Sequence, residues 1–384
     1  MDIVNSSWQE SSSIGCGCAQ CKSTGGPKLV ENYENYVAES GSGNSYAPST
    51  YGTTEQMVDQ LINGYWDGVG LARQNWEVGQ TVTYSLSNEY TAAEKASFRM
   101  GFDLWSSIAD IEFQEVGSGG NINIIEGDDQ GAWSGNNSWD TSDWPNSLTI
   151  TSNTLSIDTD AWPSLTGIGG YGIITVLHEI GHSLGLGHQG NYNGSVDYDS
   201  QVDYLNDNRQ YSLMSYNDAN RLGTDHWGES GVWKYAGTPL LYDMLAIQQI
   251  YGVNTTTRTG DSTYGFNITG DIDFAQYDLS QNDAPFAIWD AGGTDTLDLS
   301  GYTTNQVITL VAGDFTSAGY MTNNIVIAYG AVIENAIGGS GNDSIYGNDA
   351  DNILSGGGGN DWLYASNGND QLFGGEGDDR AFFN

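Results

Sequence analysis

From Gly338 to Phe382 the chain repeats itself every nine residues: GGSGNDSIY (338–346), GNDADNILS (347–355), GGGGNDWLY (356–364), ASNGNDQLF (365–373) and GGEGDDRAF (374–382). The sixth position holds Asp343, Asn352, Asp361, Asp370 and Asp379. The eighth holds Ile345, Leu354, Leu363, Leu372 and Ala381. One apolar side chain per unit cannot bury a core alone, so the units must stack. Each reads as a tight glycine-rich turn and a very short strand, and the stack as an all-β parallel β-roll. The glycines let the backbone present carbonyls and the aspartates supply charge, the oxygen ligands that calcium takes. A flexible Gly/Asp linker would not keep the apolar eighth position.

Upstream, three of the four histidines fall within one eleven-residue stretch, His178-Glu179-Ile180-Gly181-His182-Ser183-Leu184-Gly185-Leu186-Gly187-His188. Residues 173–177 are apolar and read as the first turns of a buried helix. His178 and His182 then share one helical face, a turn apart. Glu179 points about 100° away around the helix. It is poorly placed as a ligand and well placed to hold a water bound to the metal. Gly185 can take the left-handed conformation that ends a helix, and the turn brings His188 back. Three protein ligands leave a position open for water, as catalytic zinc requires. A chance H-E-x-x-H pentapeptide would not carry the third histidine and the glycine as well.

This motif, followed by Ser212-Leu213-Met214-Ser215-Tyr216, resembles the metzincin metallopeptidases. More narrowly, the chain resembles the serralysin family of secreted, calcium-binding bacterial metalloproteases. The match includes RQYSLMSY (209–216), TPLLYDMLAIQQIYG (238–252), WDAGGTDTL (289–297) and IENAIGG (333–339). It runs from about residue 52 to the end. It implies an α+β metzincin zinc-protease domain followed by an all-β parallel β-roll of the RTX type. Met214 would form the apolar floor under one catalytic zinc held by His178, His182 and His188. Tyr216 would ligate that zinc at rest and swing to stabilise the oxyanion. Glu179 would be the general base. Three departures stand out: Gln189 replaces the usual proline, Gly187 replaces a common serine, and residues 190–208 match loosely.

The resemblance also implies several structural calcium ions, each lying between a unit and the one two further on. Gly339, Gly341 and Asp343 would pair with Gly357, Gly359 and Asp361, and Gly375, Gly377 and Asp379 extend that ladder. Ser366, Gly368 and Asp370 face Asn352, so a weaker site is expected there. Upstream, Arg258, Gly260 and Ser262 would bind calcium together with Asp290, Gly292 and Asp295. Gly293, Asp295 and Glu334 would hold another.

Composition narrows the partners. Asp and Glu number 49 against 10 Lys and Arg, a net charge of −39. That excludes a general nucleic-acid or anionic-membrane surface. No apolar run approaches the roughly 20 residues that span a bilayer. The first 40 residues lack the apolar stretch of a secretory signal peptide. The family resemblance implies an extracellular, bacterial location, reached by a signal-peptide-independent route. Expected partners are protein or peptide substrates and a proteinaceous inhibitor, with no nucleic acid and no membrane; the expected state is a monomer. Cys16, Cys18 and Cys21 lie together near the start. They read as part of a removable leader, or as a thiolate cap on the zinc of a zymogen.

The expected organisation is a disordered leader or propeptide (1–50), a zinc metalloprotease domain (51–252) and a calcium-binding β-roll domain (253–384). The roll looks truncated, because the chain stops directly after the fifth unit; fraying is expected after Asp370. Residues 54–62 read as a helix, and Val82, Tyr84 and Leu86 as a strand. Thr91 and Glu94 form a capping box for a helix with Phe98, Phe102, Trp105 and Ile108 on its core face. Residues 121–124 read as a strand corresponding to the edge strand that pairs with substrate in the family. Thr238-Pro239 reads as a helix start with proline first, and Gly252 as its end. His226 is expected at the surface or behind the ligands. The expected activity is zinc-dependent, calcium-stabilised hydrolysis of internal peptide bonds. The competing expectation is a calcium-binding adhesin or binding module with a vestigial protease half.

Overall fold

The computed structural model describes residues 48, 50–127, 131–160, 164–271 and 274–383. Cys16, Cys18, Cys21 and nearly all of the expected leader lie outside the described residues. Helix α1, Thr54–Asp59, opens on a capping box between Thr53 and Gln56 and continues through a π-helical stretch, Gln60–Gly64. Strands β1 (Arg73–Asn75) and β2 (Thr81–Leu86) follow, and then α2 (Ala92–Ile108). The Thr91 hydroxyl accepts from Glu94 N, and Glu94 accepts from Thr91 N at 2.7 Å. The face with Phe98, Phe102, Trp105 and Ile108 is buried. Each such side chain contributes roughly 1.5–3 kcal/mol of apolar burial.

Strands β3 (Glu112–Glu115), β4 (Ile122–Glu126), β5 (Ala132–Asp140) and β6 (Ser147–Ile157) complete a sheet in the order β1-β6-β4-β2-β3. Those pairs are parallel; β5 pairs antiparallel with β6. This corrects one expectation. The strand at 121–124 is β4, which is internal, with β2 and β6 on its two sides and Ile122 and Ile124 fully buried. Among the described residues β5 pairs only with β6, so β5, like β1 and β3, is an edge strand. Helices α3 (Tyr171–Ser183) and α4 (Leu241–Tyr251) finish this half. Pro239 is not the first residue of α4. The Asp243 carboxylate accepts from Leu240 N at 2.9 Å, which makes Leu240 the N-cap and leaves Pro239 outside.

After Tyr251 the described residues hold strands and one short 3-10 turn, Ala275–Tyr277. The strands are β7 (Thr263–Gly265), β8 (Phe286–Ile288), β9 (Thr296–Asp298), β10 (Val307–Thr309), β11 (Phe315–Thr316), β12 (Ile325–Ile327), β13 (Asn335–Ile337), β14 (Ser344–Tyr346), β15 (Ile353–Gly358), β16 (Trp362–Tyr364), β17 (Gln371–Glu376) and β18 (Arg380–Phe382). Two wholly parallel sheets form, β17-β15-β13-β9-β7 and β10-β14-β16-β18. Successive repeat units alternate between them. Ser344 therefore faces Trp362 and Ile353 faces Gln371, two units away. The eighth-position residues Ile345, Leu354 and Leu363 point inward and are at most 1% exposed. Leu372 is half-buried and Ala381 exposed. The glycines pack backbone to backbone: a Cβ on Gly357 would strike the Gly339 carbonyl, and one on Gly375 the Gly357 carbonyl.

One continuous apolar core runs from Met57 through the α3 helix to Leu363. No helix among the described residues is long and apolar enough to cross a membrane.

Candidate metal centre

Helix α3 carries His178, Glu179 and His182 and ends on a Schellman turn. Gly185 N donates to His182 O at 3.0 Å, and Leu186 N donates to Gly181 O at 3.1 Å. Gly185 has φ +98°, and a Cβ there would strike the Gln74 carbonyl. Glycine is needed on both counts, and the turn carries the chain back to His188. One ring nitrogen from each of His178, His182 and His188 lies within 4.8 Å of the others, and all three residues are buried.

The tautomers follow from the partners. His178 Nδ1 meets Leu213 O at 2.8 Å and His182 Nδ1 meets Leu186 O at 2.7 Å. A carbonyl can only accept, so both Nδ1 atoms carry the hydrogen and both Nε2 atoms carry lone pairs. The Tyr192 backbone stands beside the His188 ring, and His188 Nε2 meets His182 Nε2 at 3.0 Å. His178 Nε2 is buried without a hydrogen-bond partner. Burial pushes His178 and His188 well below the ordinary imidazole range, with the neighbouring imidazoles adding to it. Burial takes His182 down to about 4. Neutral rings with converging lone pairs are what zinc binds, so the donor set fits that ion.

Glu179 is fully buried beside this cluster. The Tyr216 ring centroid lies 4.5 Å from that of His188 and 5.9 Å from that of His178. Met214 is fully buried, and a Cβ on Gly181 would meet its sulfur at 2.9 Å, so it lies against the α3 backbone. A small cavity beside Glu179 is lined by Tyr171, Ile174, Thr175, Arg209 and Leu213. All five residues expected at the zinc centre are thus together. His226 is not among them. It is 4% exposed rather than at the surface, because its ring packs on Trp233 and its Nε2 faces Asn323 O.

Two buried acids had drawn no attention in the sequence. Asp243 on α4 accepts from the Ser212 hydroxyl at 2.6 Å and from Leu213 N at 2.7 Å, anchoring the turn that carries Met214. Burial raises its carboxyl to about 6 despite these bonds. Asp207 accepts from the Tyr192 and Ser215 hydroxyls. Asp243 stands three positions past the α4 N-cap, a signal that the expected helix start at Pro239 hides. Asp207 sits in an Asn-rich loop with no such signal.

The carboxylates of the repeats form a ladder. Asp343 N donates to Asp361 Oδ1 at 2.8 Å, and Asp361 N donates to Asp379 Oδ1 at 2.9 Å. Asp343 itself accepts from Gln306 N and Gly339 N. Gly341, Gly359 and Gly377 stack so closely that a Cβ on any would strike the carbonyl of Thr304, Gly341 or Gly359 respectively. On the other sheet Gly368 lies against Ala350 O, and Asn352 N donates to Asp370 Oδ1. There the Asn352 amide donates to Glu334 O and Asn348 Oδ1. A donor thus stands where the other rung offers an acid.

The upstream residues also converge. Ser262 N donates to Asp295 Oδ1, Asp295 N to Glu334 Oε2 and Gly292 N to Asp290 Oδ1. A Cβ on Gly293 would meet Gly260 O at 2.7 Å. Arg258, buried with φ +52°, begins this turn. Asp295 Oδ2 and Asp361 Oδ2 are buried without a donor. Burial raises Asp343 to about 6 and Asp295 to about 7. Buried acidic oxygens with no donor suit a hard cation.

A buried three-histidine cluster at the end of a helix, with a carboxylate on the same helix, is a candidate site for a metal ion. Comparison with known proteins narrows this. Residues 253–380 match the family model described as Peptidase M10 serralysin C terminal. Serralysin G of Dickeya chrysanthemi is 36% identical over 342 residues, covering 81% of this chain and 68% of that protein. Serralysin of Proteus mirabilis is 41% identical over 280 residues, 69% of this chain and 56% of that protein. Serralysin C of Dickeya chrysanthemi is 51% identical over 176 residues, 45% of this chain and 36% of that protein. The chain belongs to the serralysin family of metalloproteases. The match spans about half the length of the Proteus protein, 56%.

Proposed function

We propose that this chain is a zinc-dependent, calcium-stabilised endopeptidase that hydrolyses internal bonds of extracellular proteins. The observation that carries the reading is the convergence of three imidazole nitrogens within 4.8 Å, with buried Glu179 next to His178. His178, His182 and His188 would hold zinc, with Tyr216 as a further ligand at rest. Zinc would supply Lewis acidity and a water acidified to near neutrality. The Glu179 carboxylate takes the proton of the attacking water and passes it to the departing amine. The Tyr216 phenol donates to the oxygen that gains charge on the scissile carbonyl. The free edge of β5 offers backbone N–H and C=O groups to an extended peptide.

In this reading residues 51–252 form the catalytic unit and 253–384 a parallel β-roll that binds calcium. Residues 1–50 are a leader, and the protein is secreted as a monomer. The Asp343, Asp361 and Asp379 ladder and the Asp290, Asp295 and Glu334 cluster would hold calcium. The Asn352 rung would hold it more weakly. The test is casein hydrolysis by the purified chain before and after zinc removal and repletion. Activity lost on removal and restored by zinc supports the reading. A repleted protein that holds zinc and leaves casein intact would count against it.

A further inference from the structure

Tyr192 touches both ends of the proposed zinc centre. Its backbone stands beside the His188 ring. Its own ring lies 5.7 Å from that of His188 at 27°, and 5.0 Å from that of Tyr216. Tyr216 N donates to its hydroxyl at 3.4 Å. That hydroxyl donates in turn to Asp207 Oδ1 at 2.7 Å. The Ser215 hydroxyl, one residue before Tyr216, donates to the same oxygen at 2.6 Å. Ser215 Oγ accepts from Asn217 N, and Asp207 O accepts from the Asn217 amide. One carboxylate oxygen, on a residue only 1% exposed, therefore ties the segment after the third ligand to the turn that carries Tyr216.

We infer that Asp207 and Tyr192 are a positioning pair that fixes His188 and Tyr216 relative to each other. The inference rests on the zinc reading above. Hydrogen bonds to an ionised acceptor are about twice as strong as neutral ones. Partners standing behind a metal-bound imidazole commonly govern about 10–100-fold in metal affinity. Gln189 closes the same clamp from the other side. Its N–H donates to Met214 O at 3.3 Å and its side chain to Met57 O at 2.7 Å. The backbone bond is one that a proline at this position could not make. In this chain the third ligand is thus held by protein contacts on both sides.

The test uses the zinc-loaded full chain with Tyr192→Phe, Asp207→Asn and Asp207→Ala. Zinc retention against a competing chelator is measured at a temperature where each variant is folded, alongside kcat and KM. Tyr192→Phe removes only a hydroxyl, so it answers even if Asp207→Ala fails to fold. The expected result is a loss of zinc affinity of roughly 10–100-fold in Tyr192→Phe, with kcat falling and KM holding. Asp207→Asn, which keeps one acceptor oxygen, should retain more affinity than Asp207→Ala. Lower thermal stability with parental zinc retention and kcat would reduce the pair to ordinary packing and overturn the inference. A parent that neither binds zinc nor cleaves casein would overturn the zinc reading and the pair together. An active zinc-bound parent with indifferent variants would overturn the pair alone.

Discussion

The Nε2 atoms of His182 and His188 lie 3.0 Å apart, while the Nδ1 of His182 is hydrogen-bonded to Leu186 O on the other side of its ring. His182 Nε2 carries a lone pair, so it is met either by the Nε2–H of a neutral His188 tautomer or by a cation held between the two rings. A proton as that cation is disfavoured, because burial holds His182 at about 4 and His188 well below its usual range. Zinc should bind at one per chain and raise Tm. The linkage is about 2.7 kcal/mol when free zinc is 100 times Kd. His188→Ala should lose stoichiometric zinc. Calorimetry with and without chelator checks this, and an unchanged Tm would count against it.

Tyr216 lies against His188 with ring centroids 4.5 Å apart. If its phenol meets the charge that develops on the carbonyl, Tyr216→Phe should lower kcat by about 10²–10³-fold. KM should change little, and zinc should stay bound. Steady-state kinetics on one peptide decides this; a kcat equal to the parent's would remove Tyr216 from the chemistry.

Gly357 has φ +100°, and a Cβ there would strike the Gly339 carbonyl. Gly357→Ala should therefore cost at least about 1–3 kcal/mol in backbone strain alone. It should also weaken calcium binding, because the same stacking sets the carbonyls beside Asp343 and Asp361. Calcium titration followed by circular dichroism would show a right-shifted transition. A curve that overlays the parent's would mean the stack tolerates the methyl group.

His226 gives a pH prediction. Burial lowers its pKa from 6.5 to about 4, against the pull of Asn323 O and Asp225. The unfolded chain binds this proton near 6.5 and the folded chain only near 4. The folded state is therefore fully favoured above about 6.5 and loses stability as pH falls from there to about 4. The loss is about 3 kcal/mol at most. Segment 224–226 is bonded to Thr322 and Asn323, so the loss should loosen that contact. His226→Gln should flatten the acid limb of the Tm–pH curve. An equally steep limb would show that other groups set it.

The two parts of the chain differ in how far the sequence foretold them. His178, Glu179, His182 and His188 are local in sequence, so helical spacing and one turn glycine fix their geometry. The relation between units two apart is implied by the family resemblance, and the strand register shows it as pairing within two alternating sheets. Long-range choices were not legible. β4 looked like an edge, yet a strand's place in a sheet depends on its neighbours, and β6 covers it from beyond β5 in the chain. The anchoring of the Tyr216 turn by Asp243, 30 residues beyond Leu213, was equally invisible. Asp207 and Tyr192 meet 15 residues apart through a loop with no periodicity to predict it.

The measurement that tests the central claim most directly is casein hydrolysis by the parent chain and by Glu179→Gln, with zinc quantified in both. Glu179 is buried, lines one small cavity with His178 and Tyr216, and is assigned the proton transfer in the proposed function. The account predicts equal zinc in the two proteins and a fall in kcat of roughly 10²–10⁴-fold in the variant. Equal zinc with equal activity would contradict the assignment of Glu179, and zinc without proteolysis in either would contradict the endopeptidase itself.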